Sequence, residues 1–389
     1  MYICDTTALD AALPALAAAD AIAIDTEFMR ERTYYARLCL VQVATPDDVY
    51  LIDAIALEGE LGRLAPVLSA VKPLKVFHAG SQDIEILGRA TGVTPAPVFD
   101  TQVAATLAGF PTQVGYAQLA KDLAGVTIDK GDTFSDWSVR PLSDNQLSYA
   151  AEDVRHLLGM YEKLRGRLER EGRLAWLAED FERLADPATY EVDPLRQYLR
   201  VKRASSLDRR GLAVLREVAA WRETEAQRRD MPRRWLVSDE SLVEIARRRP
   251  ASIQALGAIR GVNERVASRQ GAGLIEAVKR GEAVPEDGLP RLPKRAHVPR
   301  DAQPLADLLN AVVRVRAGEH GVAPTLLASR DDLERFASGE REGHPLTEGW
   351  RRTLVGAELE AILAGLMDVR VDDGRLTVVP SGRSGDGER

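Results

Sequence analysis

The sequence predicts an α/β domain with a mixed sheet, followed by one or two all-helical domains. In the first 200 of the 389 residues, short apolar runs alternate with helical stretches, and three of those runs are close neighbours. From about Ser205 onward the strand pattern stops and apolar residues recur only at helical spacing. Apolar residues make up 45% of the chain and charged residues 29%, which is typical of globular proteins.

The predicted strands are short apolar runs bounded by turn residues. Three lie close together along the chain, and two more alternate with helices, so the sheet should combine neighbouring and crossover connections. In chain order they are residues 21–24, 38–44, 49–52, 74–77 and 98–99. The predicted helices of this domain are residues 60–70, 81–87, a helix that starts at Thr101, and a long helix that begins at Ser143.

The rest of the chain is predicted to be helical and to divide at a proline-rich linker. A pattern at Leu236-Val237-Ser238 recurs 91 residues later as Leu327-Ala328-Ser329, which indicates two copies of one small domain. The alternative is that capped amphipathic helices simply resemble one another. The predicted division is residues 1–200 for the α/β domain, 205–284 for a helical bundle, 285–304 for the linker, 305–380 for a second helical domain, and 381–389 for a disordered tail.

Composition and charge exclude several classes of protein. Two cysteines cannot build a disulfide framework, no apolar run approaches the roughly 20 residues of a membrane span, and the first residues lack a secretory pattern. We therefore expect a cytoplasmic protein. The chain carries a net charge of −7, yet residues 201–280 carry +8. That segment is expected either to contact a polyanion or to form a solvated, arginine-rich helical face.

Acidic residues occur at the end of a predicted buried strand and on two predicted helices. Asp25 and Glu27 are two apart at the end of a strand, so they share a face and repel one another. Asp83 follows a strand in the first turn of a helix. Tyr149 and Asp153 are four apart on a later helix and also share a face.

Each of these patterns alone also has a structural explanation. A strand end can reach solvent, an acid in a first turn complements the helix dipole, and an aspartate can pair with an arginine. Taken together, however, four carboxylates and a tyrosine in this order are what a two-metal phosphodiester cleavage site needs. Hard Mg²⁺ or Mn²⁺ ions prefer such oxygen ligands.

Three stretches of the sequence resemble the motifs of a known superfamily. DTEFMRERTYYARLCLVQVA (25–44), FHAGSQDIEIL (77–87) and DWSVRPLSDNQLSYAAEDVRHL (136–157) are similar to the exonuclease motifs of the DEDD superfamily of 3′–5′ exonucleases, in its tyrosine subclass. The closest similarity is to the ribonuclease D family. The helical region resembles the HRDC domain, a small nucleic-acid-binding bundle, and residues 300–380 resemble it only weakly.

The resemblance implies a fold, an activity and residue roles. The fold would be ribonuclease-H-like, and the activity would be metal-dependent release of 5′-mononucleotides from RNA with a free 3′ end, with tRNA precursors as expected substrates. Asp25, Glu27 and Asp153 would bind the ion that activates water. Asp25 would bridge to a second ion supported by Asp83, and Tyr149 would hold the water.

Further residues are candidates for substrate contact. Phe28 is expected either to stack on the terminal base or to be a core aromatic, and His78 to be either a core imidazole or a substrate contact. Gln42 and Gln146 are candidate polar contacts. The nucleic-acid-binding candidates of the basic segment are Arg228, Arg229, Arg233, Arg234 and Trp235.

Two other functions remain open. One is a DNA-directed 3′–5′ exonuclease, which the acidic motifs do not separate from a ribonuclease. The other is a catalytically silent RNA-binding scaffold, although no acidic position is lost. No glycine-rich phosphate loop of the GxxxxGK[ST] type is present, so we expect no nucleotide cofactor.

Overall fold

The computed structural model describes residues 1–128, 135–262, 264–292, 299 and 302–382. The chain forms two compact units. The first comprises Met1–Glu27, Cys39–Thr189 and Ala296–Arg389, and the second comprises Phe28–Leu38 and Tyr190–Arg295. In the described ranges, no helix is both long and apolar enough to cross a membrane.

A six-stranded mixed sheet confirms the predicted α/β domain. The strand order is β1-β4-β3-β2-β5-β6. β3 and β4 are antiparallel, whereas β1 pairs with β4, β2 with β5, and β5 with β6 in parallel. The strands are β1 (Tyr2–Ile3), β2 (Ala21–Met29), β3 (Arg37–Ala44), β4 (Val49–Asp53), β5 (Leu74–Phe77) and β6 (Val98–Asp100).

Helices pack on this sheet and complete its core. Phe99 of β6 packs edge-on against Tyr161, with ring centroids 4.8 Å apart, and buried leucines of the same helix join them. The helices are α1 (Thr6–Ala18), α2 (Ala65–Ser69), α3 (Ser81–Thr91), α4 (Thr101–Leu107), α5 (Tyr116–Ala124), α6 (Asp144–Arg155), α7 (Leu157–Arg170) and α8 (Ala178–Ala185), with 3₁₀ turns at Leu61–Leu64, Leu174–Leu177 and Pro187–Tyr190.

The second unit is an all-helical bundle built around α9. The predicted apolar stripe is buried, because Leu212, Leu215 and Val218 all lie in one core with residues of the other helices. The helices are α9 (Arg209–Arg228), α10 (Arg233–Leu236), α11 (Asp239–Arg248), α12 (Ile253–Gly257) and α13 (Glu264–Glu282), with 3₁₀ turns at Pro194–Arg200, Ala204–Ser206 and Glu286–Gly288.

A second helical region follows and belongs to the first compact unit. Trp350 stacks on Trp176 with centroids 5.1 Å apart and ring planes 5° apart, so this region packs on the α/β domain. Its elements are α14 (Ala302–His320), α15 (Pro324–Leu327), α16 (Arg330–Ala337), α17 (Gly349–Arg351), a π-helical turn Arg352–Gly356, α18 (Ala357–Leu363), β7 (Met367–Asp372) and β8 (Arg375–Pro380).

The internal repeat has a structural counterpart over three helices. In both regions a long helix is followed by a one-turn helix and then by a helix capped by serine. Ser238 caps α11 and Ser329 caps α16, each by accepting a hydrogen bond from a backbone N–H three residues ahead. Beyond α16 the two regions differ. The domain division itself stays a prediction.

Three details of the C-terminal half differ from the prediction. Residues 367–380, predicted to be part of a helical domain, form an antiparallel hairpin with Asp373-Gly374 at its turn, both at positive φ. The proposed linker 285–304 ends earlier, because α14 begins at Ala302 and accommodates Pro304 in its first turn. Residues 383–389 of the proposed disordered tail lie outside the described residues.

Candidate active site

β2 carries the first two candidate carboxylates. The strand does not end at residue 24 as predicted but continues to Met29, so Asp25 and Glu27 lie within it. Both are half-buried, while Thr26 between them is buried. The Thr26 hydroxyl donates a hydrogen bond to Oδ1 of Asp83, and this bond ties the strand to α3.

The turn before α3 positions Asp83. Asp83 is buried in the first turn of α3, although the predicted cap Ser81 is the first helical residue and Gly80 is the cap. Ala79 adopts a φ of 57°, and a Cβ on Gly80 would lie 2.4 Å from the Phe77 Cβ, so the turn is tight. The Asp100 carboxylate holds it by accepting hydrogen bonds from the Ala79 and Gly80 N–H groups, at 3.1 and 2.8 Å.

Tyr149 and Asp153 lie on α6, whose start is held by a capping box. Ser143 Oγ accepts a hydrogen bond from the Gln146 N–H at 3.2 Å, and Gln146 Oε1 accepts one from the Ser143 N–H at 3.0 Å. One helical turn separates Tyr149 from Asp153, and the two side chains are close enough for each to shift the pKa of the other. The Trp137 ring lies 6.2 Å from the Tyr149 ring.

A buried ion pair anchors the segment that leads into α6. Arg140 donates two hydrogen bonds to Asp53 at the end of β4, Nε to Oδ2 at 2.6 Å and Nη2 to Oδ1 at 2.7 Å. Arg140 also bonds the carbonyls of Cys39 and Trp137. Burial alone would raise the pKa of Asp53, but the hydrogen bonds from Arg140, Tyr2 and Ala56 outweigh it and lower that pKa to about 2.

The four candidate carboxylates lie close enough to perturb one another. Burial, then the charges of Asp83, Asp153 and Glu27, raises the pKa of Asp25 well above its usual range. Burial and the charges of Asp153 and Asp83 raise the pKa of Glu27 to about 8. Burial likewise raises the pKa of Asp153 to about 7 and that of Asp83 to about 6.

Comparison with known proteins supports the predicted exonuclease and HRDC domains. A family model described as 3′–5′ exonuclease matches residues 1–169, and a model of the HRDC domain matches residues 211–278. The chain is 47% identical over 361 residues to a ribonuclease D of Gluconacetobacter diazotrophicus, with 92% of each chain covered. It is 45% identical over 363 residues to one of Granulibacter bethesdensis, with 93% of this chain and 92% of the relative covered.

This chain belongs to the ribonuclease D family. Its fold is also similar to the crystal structure of Escherichia coli RNase D, described as an exoribonuclease involved in structured RNA processing. That match has a TM-score of 0.81 at 30% identity, with 94% of this chain and 98% of the other covered. The chain is accordingly a 3′–5′ exoribonuclease, and divalent metal dependence is typical of the ribonuclease D family.

The carboxylate cluster has the chemistry of a divalent-ion site. Burial raises the pKa of all four carboxyl groups, the charges of neighbouring acids raise those of Asp25 and Glu27 further, and oxygen is the donor that hard divalent ions prefer. In the described part of the chain, no three His, Cys, Asp or Glu side chains form a ready-made ligand group. Mg²⁺ or Mn²⁺ would take its remaining oxygen ligands from water and phosphate.

The four candidate residues for substrate contact differ in burial and in their hydrogen bonds; they are Phe28, His78, Gln42 and Gln146. Phe28 follows Glu27 on β2 and is half-buried. Both His78 ring nitrogens already contact protein atoms, Nδ1 with Thr101 Oγ1 at 2.9 Å and Nε2 with the Val114 carbonyl at 3.0 Å, which favours the core alternative. Gln146 Oε1 is used in the α6 cap.

Gln42 requires a correction. It lies in the middle of β3 with none of its surface exposed, and neither its Oε1 nor its Nε2 has a hydrogen-bond partner among the described residues. A side chain enclosed on a central strand does not reach a substrate. We therefore withdraw it as a contact.

The five nucleic-acid candidates of the HRDC region also separate into two groups. Arg228 and Arg229 share the single carboxylate of Glu225, which leaves one positive charge in excess, whereas Arg233 is paired with the buried Glu223. Arg234 is exposed, and Trp235 has 59% of its surface exposed. The second group is therefore the better placed for a ligand.

Sequence reasoning missed several residues that position the site. Asp53 and Asp100 are acids that each end a buried strand; Asp53 holds Arg140, and Asp100 caps α4 and holds the turn before Asp83. Tyr116 was also missed; its hydroxyl donates to the Glu152 carbonyl at 2.7 Å, beside Asp153. An acid at the end of an apolar run is visible in the sequence, so this pattern could have identified the two aspartates. It could not have shown that they have a structural role and not a catalytic one.

Proposed function

We propose that this exoribonuclease hydrolyses RNA from a free 3′ end by a two-metal-ion mechanism, and that its substrates include tRNA precursors. The observation that carries the mechanism is the cluster of four carboxyl groups, all with pKa values raised chiefly by burial, beside the Tyr149 hydroxyl. The substrate class is supported by the similarity to E. coli RNase D, which is described as acting in structured RNA processing.

The roles of the carboxylates follow the sequence prediction. Asp25, Glu27 and Asp153 would hold one Mg²⁺ or Mn²⁺ ion, and Asp25 with Asp83 would hold a second. When bound, two such ions lower the pKa of the attacking water and stabilise the leaving oxygen. The Thr26 hydroxyl keeps Asp83 oriented toward β2, because it donates to Oδ1.

Tyr149 acts as a positioned hydrogen-bond group in this proposal. Burial, together with the neighbouring negative charges of Asp153 and Glu27, raises the pKa of its phenol, so the hydroxyl keeps its proton at neutral pH. A protonated phenol cannot serve as a base, but it can hold a water molecule between itself and Asp153. The water's proton would then pass to a carboxylate or to solvent.

Ion binding displaces protons from this site. Without a cation, the pKa of Glu27 is raised to about 8 and that of Asp153 to about 7, so both are partly protonated near neutral pH. Cation binding favours the carboxylate forms and releases those protons. We therefore expect activity at limiting Mg²⁺ to rise with pH between about 6 and 8.

A cleavage assay with matched oligonucleotides tests the proposal. Purified protein is mixed with 5′-labelled RNA and DNA of equal sequence in Mg²⁺, Mn²⁺ or EDTA, and the same RNA is offered with a 3′ phosphate. We expect a ladder that shortens from the 3′ end of RNA, that needs the metal, and that releases 5′-mononucleotides. A tRNA precursor with a short 3′ tail should lose that tail.

Two neighbouring acids on α6 provide a matched control. Asp153→Asn removes a proposed ligand, whereas Glu152→Gln changes a carboxylate that pairs at the surface with Arg155 at 2.6 Å. Asp153→Asn should abolish cleavage, and Glu152→Gln should retain it within about threefold. Faster digestion of DNA, or equal loss in both variants, would contradict the proposal.

A further inference from the structure

A charged pocket lies within the helical unit. It is formed between the 3₁₀ turn Pro194–Arg200 and the helices α9, α10 and α11. Four of its seven lining residues are arginines and two are acids. They are Gln197, Arg200, Arg222, Glu223, Arg233, Arg234 and Asp239.

The two acids of the pocket are each neutralised by one arginine. Glu223 is fully buried and accepts hydrogen bonds from Arg233 through Nε and, at 2.6 Å, through Nη2. The Tyr34 hydroxyl donates to the same carboxylate, and Arg233 lies 4.8 Å over the Tyr34 ring. Asp239 accepts a hydrogen bond from Arg222 Nη1 at 2.8 Å. These contacts with Glu223 and Tyr34 hold the Arg233 side chain in place at the side of the pocket.

Two arginines and one buried N–H group remain without a partner. Arg200 and Arg234 are exposed and make no hydrogen bond or ion pair within the described ranges. The pKa of the exposed Glu240 is lowered first by a hydrogen bond to the backbone and then by one with Ser238. The positive charge of Arg234 makes a smaller contribution in the same direction. Arg222 has 5% of its surface exposed, and its Nε is buried without an acceptor in this part of the chain.

The pocket therefore has an excess of two positive charges and an unused buried donor. The unpaired Arg222 N–H lies in the wall of this pocket, and a buried donor without an acceptor costs stability. Guanidinium groups bind the oxygens of phosphate, as they do those of carboxylate, in a bidentate geometry. Trp235 follows Arg234 in the chain, and its exposed ring has the properties of a stacking platform for a base.

We propose that this pocket binds one backbone phosphate of the RNA substrate, with Arg200 and Arg234 as its principal ligands. The inference rests on the proposed function for the choice of RNA as the source of the phosphate. Arg222 supplies a buried donor, and Arg233 is held by Glu223 and Tyr34 rather than by the RNA. Trp235 stacks on a base next to that phosphate.

Direct binding tests this site separately from catalysis. The full-length protein is titrated in EDTA against a 5′-fluorescein 24-nucleotide single-stranded RNA, and anisotropy gives the Kd at several KCl concentrations. The test variant is Arg200→Gln with Arg234→Gln. The control is Lys279→Gln with Arg280→Gln, which removes the same charge from the same unit but at side chains that already face Glu276 and Glu217.

The test variant should bind the RNA about tenfold more weakly than the wild type. Its plot of log K against log salt should be shallower by about 0.7, the value for one phosphate of a single strand. The control should shift the Kd by less than about twofold and leave the slope unchanged. Trp235→Ala should weaken binding without changing the slope, because stacking releases no counterions.

Two outcomes would overturn the inference. If both double variants lose the same affinity and the same slope, only the diffuse charge of the unit attracts RNA. If the test variant binds as the wild type does, the pocket takes no phosphate. Because binding is measured without metal, either result can be obtained whether or not the enzyme cleaves RNA, so a failure here is distinguishable from a failure of the proposed function.

Discussion

Tyr149 differs from the acids around it because its proton stays on the oxygen. Its raised pKa and its place beside Asp153 indicate that the hydroxyl orients a reactant instead of exchanging protons with it. Removing the hydroxyl should therefore slow the chemical step while substrate binding changes little. This separates a positioning role from a ligand role.

We expect Tyr149→Phe to lower kcat about 10²-fold while KM changes less than about threefold. The reason is that the ring still packs beside Trp137, whereas the hydroxyl that contacts Asp153 is lost. Steady-state cleavage of a labelled RNA measures both constants. Tyr161→Phe, in the core against Phe99, is the control and should leave kcat unchanged. An equal loss in both variants would show that packing is responsible.

The carboxylate cluster should make the metal-free protein less stable as pH rises. The folded pKa values of Glu27, Asp153 and Asp83 lie above their ordinary values, so the folded state binds more protons than the unfolded state. Their favourable contribution is complete below about pH 4 and is lost as pH rises through about 6 to 8. A divalent cation should restore stability at the upper end, because it binds only the folded state.

Raising the pH from 5.5 to 8.5 in EDTA should lower the unfolding free energy of the wild type more than that of Asp25→Asn. The two decreases should differ by on the order of 2 kcal/mol. The substitution removes one charge and so reduces the repulsion felt by the other three acids. Urea unfolding followed by circular dichroism at each pH measures the difference. Millimolar Mg²⁺ should raise the stability of the wild type at pH 8.5 and have little effect on the variant. Parallel pH curves would contradict this.

Three elements deliver the active-site residues, and each is fixed by a different polar contact. β2 is tied to α3 through Thr26, the turn before α3 is held by Asp100, and the segment before α6 is anchored by Arg140 on Asp53. The Arg140 contact is the most demanding of the three, because the guanidinium that holds Asp53 through two hydrogen bonds also donates to three backbone carbonyls. Lysine cannot reproduce that geometry.

Arg140→Lys should lower the unfolding free energy by about 3 kcal/mol, because Asp53 would remain buried with an incomplete set of donors. It should also lower kcat, since the start of α6 is no longer held. Arg155→Lys is the control, because Arg155 pairs with Glu152 at the surface, and such pairs contribute about 0.5 kcal/mol. Urea unfolding and kcat on the same preparations test both expectations. Equal stability of the two variants would contradict the anchoring role.

The net charge of the basic segment does not show how many of its arginines are unpaired. The net charge of +8 in residues 201–280 suggested many free arginines. In the bundle, however, Arg228 and Arg229 share Glu225, and Arg233 is fixed on Glu223. Part of the positive charge of the bundle is therefore held in ion pairs, whereas Arg200 and Arg234 line the pocket without an ion pair among the described residues.

Across the whole molecule, the C-terminal helical region completes the first compact unit. Trp350 stacks on Trp176, Arg351 lies 4.3 Å over the Trp350 ring, and Arg173 donates to the His320 carbonyl. Many of its arginines pair with acids of the same region, including Arg316 with Glu358. This region thus resembles the HRDC-matching unit in its helices but serves as a packing partner of the α/β domain.

Trp350→Ala should lower the unfolding free energy by about 3 kcal/mol, because it removes a stacked, partly buried ring from the contact with Trp176. Trp235→Ala removes the same side chain from an exposed position and should change stability by less than about 0.5 kcal/mol. Thermal and urea unfolding of both variants compare them directly. If Trp350→Ala unfolds as the wild type does, the C-terminal region does not stabilise the first unit.

The sequence by itself predicted the fold class, the family and the order of the candidate acids. Strand and helix periods depend on nearest neighbours along the chain, so β2 to β6, the capped start of α6 and the helical region from Ser205 could be predicted locally. The spacing of Asp25, Glu27, Asp83, Tyr149 and Asp153 is likewise a property of the chain. The Asp-Gly turn of the C-terminal hairpin was also visible in the sequence, but it was overlooked.

Only the tertiary structure separated residues that look alike in the sequence. Asp25, Asp53 and Asp100 all lie on strands of the sheet, and only their neighbours in space decide which repels other acids and which holds an arginine or a turn. The same holds for Arg233 and Arg234, which are adjacent in the chain but differ in whether a buried glutamate lies opposite. Burial and charge pairing are set by contacts between distant segments, and no local pattern encodes them.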